Sequence, residues 1–432
     1  MQNKKIHVLD MLPGSGKSTS AIDYIQRNPQ KKIILVCELL TEIERYCDQA
    51  NLVTPVHKYQ KNKSESVKEL LSDNQSIAIT HALLLKLDHE AIQMISHKGY
   101  ELIIDEVMAP FIKESNYTPN DFKTLLKRGV IDVDSTDGTV SYLLPELPDT
   151  KYRALKDAAD TGQLIAVPET GQLLHRLPVN VFSAAKKVTI MTYMFDGSLL
   201  DTYLRKRDFS IEKSDLKVMK DQEQYRKQIA ECINLKENKV IDSIVNTYKV
   251  VNVSQYHKND KIGSRNFFNK IDKECRENKL SKGSTKNNLA KVIASCARQS
   301  DASANDVMYS VFKRYATVEE NKLSNGGYPN HCIRPHRLSA QSCFVPISAR
   351  GTNNYAHKSV AICCVNLFLD PNFKKFLNHY YEDVYIDDDK IAISSLLQWL
   401  FRGCVRNGKP MDVYVLSERM KKLLIDWLNG EI

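Results

Sequence analysis

Seven consecutive residues, Pro13-Gly14-Ser15-Gly16-Lys17-Ser18-Thr19, constrain this chain more than any other feature. They follow a short apolar run at 6–9 that reads as a strand. They precede a helix-like stretch running to about residue 25. Glycines let successive backbone N–H groups turn toward phosphate oxygens without Cβ clashes. The helix N-terminus behind them adds a favourable dipole. Lys17 is spaced to reach β- and γ-phosphates and the Ser18 hydroxyl to ligate magnesium, with Gly14, Ser15, Gly16 and Thr19 completing the cradle. A glycine-rich turn arising by chance is the competing reading, and the strand–loop–helix setting argues against it.

The first hundred residues alternate short apolar runs with helix-like polar stretches, as a parallel α/β sheet requires. Strands are expected at 6–9, 32–37, 77–80 and 101–104, each with a polar or acidic residue near its end. Ligands of open α/β sheets bind at those carboxyl ends. The run Leu102-Ile103-Ile104 closes on Asp105-Glu106. With strands between it and the glycine loop, this pair predicts a nucleotide site. Asp105 would hold magnesium through water, and Glu106 would orient or activate the attacking water.

From 111 to 185 the pattern changes. The stretch 130–144 carries an Asp137-Gly138 turn between two runs, a hairpin signal. A helix is expected at 151–161, then a second hairpin over 164–182 turning around 169–171. This reads as an antiparallel insertion, about 111–185. The α/β pattern resumes at 187–192, and the charged stretch 213–227 reads as a link. A chain of 432 residues is too long for one ordinary core and fits two domains, 1–215 and 216–432.

The second half has apolar runs at 250–253, 343–347, 360–365 and 413–416, with helices expected at 391–405 and 417–428. Between its first two strands lies a basic insertion, about 255–340. Residues 251–340 hold 16 Lys+Arg against 8 Asp+Glu, nearly the whole of the chain's +9. Neutralising phosphates releases counterions, so Lys282, Lys286 and Lys291 are candidate nucleic-acid contacts. A solvated surface is the alternative.

Gln398, Arg402 and Arg406 recur at four-residue spacing, which on one helix aligns them along a face. Facing the nucleotide from a second domain, they would sense its γ-phosphate and stabilise charge in phosphoryl transfer. Ser348-Ala349-Arg350-Gly351-Thr352-Asn353 precedes the run at 360–365, and Thr80-His81 closes the strand at 77–80. For Thr80 a helix cap and a ligand contact are equally good readings.

Taken in order, these segments resemble DEAD-like superfamily 2 helicases, particularly the compact helicase-like proteins of tailed bacteriophages. Residues 190–198, 344–353, 397–407 and 413–424 carry the likeness. The resemblance implies two tandem RecA-like parallel-sheet domains using ATP and Mg2+. It implies a helicase or translocase moving on or remodelling DNA or RNA, with DNA the more expected track and replication or recombination proteins as candidate partners. Arg350, Thr352 and Asn353 match the family's motif V, which couples nucleic acid to the nucleotide site. Met11 stands where the family has a small residue, Val107-Met108 replace the end of a literal DEAD box, and Arg406 follows Arg402 by four residues instead of three.

No apolar run approaches the roughly 18 residues needed to span a bilayer. The N-terminus lacks a secretory pattern, so a cytoplasmic location is expected, in the host if the chain is phage-encoded. Ten scattered cysteines without C-x-x-C read as buried thiols. Two rivals remain: a P-loop ATPase of another class, and a nucleic-acid-binding protein with a decayed motor fold.

Overall fold

The computed structural model describes residues 4–56, 63–144, 152–218, 220–237, 262–279, 283–324, 327–338, 340–349 and 354–432. The expected strand at 250–253, Lys282 and the residues Arg350, Gly351, Thr352 and Asn353 lie outside the described residues. The chain divides into two compact units. One comprises Met1–Met11, Gly16–Val218 and Leu369–Asp388; the other comprises Leu12–Ser15, Met219–Phe368 and Asp389–Ile432.

In chain order the first unit has β1 (Lys4–Asp10), β2 (Ile33–Cys37), β3 (Ile77–Thr80) and β4 (Glu101–Asp105). Five short strands follow: β5 (Phe111–Lys113), β6 (Ile131–Val133), β7 (Val140–Tyr142), β8 (Leu164–Ala166) and β9 (Leu173–Arg176). β10 (Lys187–Thr192) and β11 (Phe209–Lys213) complete it. The main sheet runs β11-β1-β10-β4-β2-β3, with every pair parallel. β2 and β4 are buried along their whole length, which is why Ile33–Cys37 and Leu102-Ile103-Ile104 read as unbroken apolar runs instead of alternating ones. β10 separates β1 from β4, pairing Asp10 with Thr192 and Met191 with Asp105. That register brings three strand ends level, and the loops that leave them start side by side.

One strand of this sheet escaped the sequence reading. β11 pairs with β1, so Phe209–Lys213 is an edge strand of the sheet. Only Phe209 of its five residues is buried, so it carries no apolar run or alternation that would mark a strand. The expected link at 213–227 holds the boundary between the two units, and its second half begins the helix Gln222–Cys232, which Asp221 caps by accepting from Gln224 N–H.

The antiparallel segment has the two hairpins expected of it. β6 pairs with β7, and β5-β9-β8 form a second small sheet. Its own core gathers Phe122, Leu125, Ile131, Val140, Leu155 and Leu164. The distant helix Pro371–Tyr380 also belongs to this unit. Its Phe373 and Phe376 meet Phe111 at ring-centroid distances of 5.8 and 5.3 Å, while Asp370 pairs with Lys113 at 2.6 Å.

The second unit has β12 (Ile233–Leu235), β13 (Val307–Ser310), β14 (Val360–Cys363) and β15 (Met411–Val415), in the parallel order β12-β15-β14-β13. The basic segment contributes β13 and the helices Arg265–Arg276 and Thr285–Gln299, whose Phe268, Ile271, Val292 and Ile293 are core residues. The run at 343–347 is not a strand. It ends the short helix Ala340–Cys343 and makes one bridge, Phe344 to Tyr309, on the outer edge of β13. Among the described residues no helix is long and apolar enough to cross a membrane.

Candidate nucleotide site

β1 ends at Asp10, and the chain turns through Pro13-Gly14-Ser15 into α1 (Lys17–Arg27). Ser15 N–H closes the turn on the Leu12 carbonyl at 3.2 Å. Gly16 precedes the helix with φ 102° and ψ 17°, in the region that side chains rarely adopt. A Cβ there would meet nothing within 4 Å, so backbone conformation, not crowding, reserves the position for glycine.

Lys17 is 6% exposed and its ammonium donates to the Met11 carbonyl at 2.7 Å. One residue on, the Ser18 hydroxyl donates to Asp105 Oδ2 at 3.0 Å. The same oxygen accepts from the Tyr46 hydroxyl at 2.6 Å. Tyr46 comes from α2 (Leu40–Ala50), where Ile43, Tyr46 and Ala50 form the buried face at helical spacing. Burial, reinforced by the neighbouring Asp105 carboxylate, holds the Tyr46 hydroxyl well above the usual phenol range, so it remains a donor. Nothing local in Glu44-Arg45-Tyr46-Cys47 marks this role; only the packing of α2 reveals it.

Glu106 follows directly with φ 71°, its N–H donating to the Met191 carbonyl at 3.0 Å. A left-handed glutamate at a strand end is backbone strain of the kind that clusters at functional sites. Asp10 is a second residue that motif reading passed over. Its carboxylate accepts from Met194 and Phe195 N–H at 2.7 and 2.8 Å, fastening the loop after β10 to the end of β1. Its position as an acid closing an apolar strand was the available signal. Thr19 is exposed, and Thr80 caps the helix His81–Leu84 by accepting from Leu83 N–H at 3.1 Å.

The donor set suits a nucleotide with its metal. The Ser18 hydroxyl and Asp105 carboxylate are adjacent hard oxygens of the type Mg2+ takes, next to a buried lysine and a helix N-terminus. Removing one donor from Asp105 tests this arrangement. Tyr46→Phe should lower stability by about 1.5–3 kcal/mol in urea unfolding, since the hydrogen bond removed is to a charged, buried acceptor. A change below roughly 0.5 kcal/mol, within the range of inert substitutions, would mean that Asp105 does not depend on this hydroxyl.

In the second unit, Gln398, Arg402 and Arg406 do not share one helix, contrary to their spacing. The helix Asp388–Leu400 stops before Arg402, and Arg406 lies in the 3-10 turn Cys404–Asn407. Gly403 is the reason: a Cβ there would come within 2.9 Å of the Lys358 carbonyl oxygen and crowd Met411, so the chain bends where it packs tightest. Gln398 Nε2 donates to Ser394 Oγ at 3.4 Å. Arg402 is 9% exposed and its Nε donates to the Ala349 carbonyl at 3.2 Å. Lys286 and Lys291 are carried by the helix Thr285–Gln299; Lys286 donates to the Asn330 carbonyl at 2.7 Å.

A family model described as the YonV C-terminal Rossmann-like domain matches residues 227–428. The chain is 26% identical over 453 residues to the SPbeta prophage-derived uncharacterized protein YonV of Bacillus subtilis (strain 168), covering 99% of this chain and 100% of that one. Among solved structures it is similar to XPD in its apo form (TM-score 0.46, 12% identity, 99% of this chain and 96% of that one). It is also similar to Xpd4 of S. tokodaii (TM-score 0.43, 12% identity, 98% and 94%).

Proposed function

We propose that this chain is an ATP-dependent motor on nucleic acid of the superfamily 2 type, built from two RecA-like domains of about 1–215 and 216–432. The observation that carries the reading is the convergence of Lys17, Ser18, Asp105 and Glu106 at the level ends of β1, β10 and β4. Lys17, on releasing the Met11 carbonyl, would meet the β- and γ-phosphates, and backbone N–H groups of Gly14, Ser15 and Gly16 would donate to their oxygens. Ser18 and Asp105 would hold Mg2+, which when bound neutralises phosphate charge. Glu106 would orient and deprotonate the attacking water. Gln398, Arg402 and Arg406 are assigned to γ-phosphate sensing by the family likeness, with Arg402 as the finger.

The prophage origin of the Bacillus relative supports a phage setting, with DNA as the track in replication or recombination and the host cytoplasm as the place. ATP hydrolysis measured with and without single-stranded DNA, duplex DNA and RNA tests the proposal. Stimulation by a nucleic acid is expected. Turnover indifferent to all three would favour a P-loop enzyme of another class, and nucleotide binding without turnover a decayed motor.

A further inference from the structure

The motor reading leaves the basic segment without a defined surface, and the second unit supplies one. Two adjoining depressions, about 270 and 700 Å³, run along the helix Thr285–Gln299 and share Ala294, Arg298 and His336. Ala290, Ala294 and Ala297 recur at helical spacing and form a floor of small side chains. Lys291 and Arg298, seven residues apart on the same helix, form one rim. The other rim is Arg334 to Arg337. There Ile333, Pro335 and Leu338 are buried while Arg334, His336 and Arg337 are exposed, so the core residues anchor the segment and the cations line the groove.

The charge of this groove is one-sided. Lys291, Arg298, Arg334 and Arg337 line it against one carboxylate, Asp301, at one end. Arg298, Arg334 and Arg337 form no ion pair among the described residues. Cations nearby on the same segment are neutralised locally: Lys279 pairs with Glu277 at 2.7 Å, Lys313 with Glu320 at 2.9 Å and Lys322 with Glu319 at 3.1 Å. A surface that serves only solubility has no reason to keep its arginines, without carboxylate partners, on the two walls of one trough.

We infer that this groove binds the sugar–phosphate backbone of nucleic acid. The inference rests on the motor reading above and names a surface that reading does not need. From Asn287 to Arg298 the helix rises about 16 Å at roughly 1.5 Å per residue. That is long enough for more than one phosphate of a strand. Tyr328 lies under the Arg334 guanidinium, 5.6 Å from ring centroid to Cζ, but no Phe, Tyr or Trp is among the described lining residues, so the groove offers no broad stacking platform for bases. Recognition is through phosphates, independent of base composition and sensitive to salt.

The test uses the full chain and fluorescence anisotropy with labelled oligonucleotides (oligo-dT, a mixed-sequence single strand, the corresponding duplex) over a sodium chloride series. Arg298→Gln/Arg334→Gln/Arg337→Gln should weaken binding of every probe. It should also make the slope of log affinity against log salt shallower, by about 0.7–0.9 for each phosphate no longer neutralised. The control Lys279→Gln/Lys313→Gln/Lys322→Gln removes the same charge from paired positions and should change the slope less. All six sites are on the surface, and thermal unfolding verifies the variants, with Arg298→Gln alone as the milder version. An equal weakening in the control would overturn the groove in favour of diffuse attraction. Wild-type affinity and slope in the arginine variant would overturn it while leaving the motor reading intact. A wild-type chain that binds none of the probes, and whose ATP turnover none of them raises, would remove the motor reading and the groove's occupant with it.

Discussion

Lys17→Ala is expected to weaken ATP binding and to lower kcat/KM by about 10²–10³, the usual cost of removing a donor aimed at developing negative charge. Glu106→Gln should behave differently. It keeps the shape and backbone of the position and loses only the base, so ATP affinity should stay near that of the wild type. Turnover should fall by about 10²–10⁴. Titration calorimetry with a non-hydrolysable ATP analogue, run beside steady-state hydrolysis, separates the two effects. The two side chains also start from different positions. The Lys17 ammonium is already engaged by the Met11 carbonyl at 2.7 Å, and phosphate has to displace that bond. Glu106 has φ 71° and its N–H donates to the Met191 carbonyl at 3.0 Å, so its backbone is anchored at the end of β4. Near-normal hydrolysis by Glu106→Gln would remove it from the catalytic role.

Trp399→Ala should cost about 3–5 kcal/mol of stability, the range for emptying a large buried aromatic site. Trp399 is 0% exposed, and its indole N–H donates to the Val345 carbonyl at 3.0 Å. The substitution leaves a cavity and an unpaired buried carbonyl together. Trp399→Phe restores much of the volume and leaves the carbonyl unpaired, which should cost about 1–3 kcal/mol. Urea unfolding followed by circular dichroism measures both. A decrease under about 1 kcal/mol for the alanine variant would mean that this site collapses around the missing ring. The residue matters beyond its packing, because it holds the helix Asp388–Leu400 against the segment that reaches Ala349, the partner of Arg402.

The glycine loop, the strand closing on Asp105-Glu106 and the parallel α/β class were legible because each is written in neighbouring residues. Gly16 needs no side chain, α1 begins at Lys17, and Leu102, Ile103 and Ile104 of β4 are apolar for burial on both faces. The two hairpins of the antiparallel segment were legible for the same reason, since turn chemistry is local. Tyr46 was not. Its bond to Asp105 joins residues 59 positions apart and depends on how α2 lies over the sheet. β11 and β13 were missed because short strands draw their identity from the partner they pair with. The helix Pro371–Tyr380 could not be assigned to the first unit from its own sequence, since an amphipathic face says that it is buried but not against what. The four-residue spacing of Gln398, Arg402 and Arg406 promised one helical face, and close packing at Gly403 bent the chain instead. Periodicity and turn residues act between near neighbours and are present in the sequence. Register, helix docking and crowding are interactions between distant residues, and only the folded chain decides them.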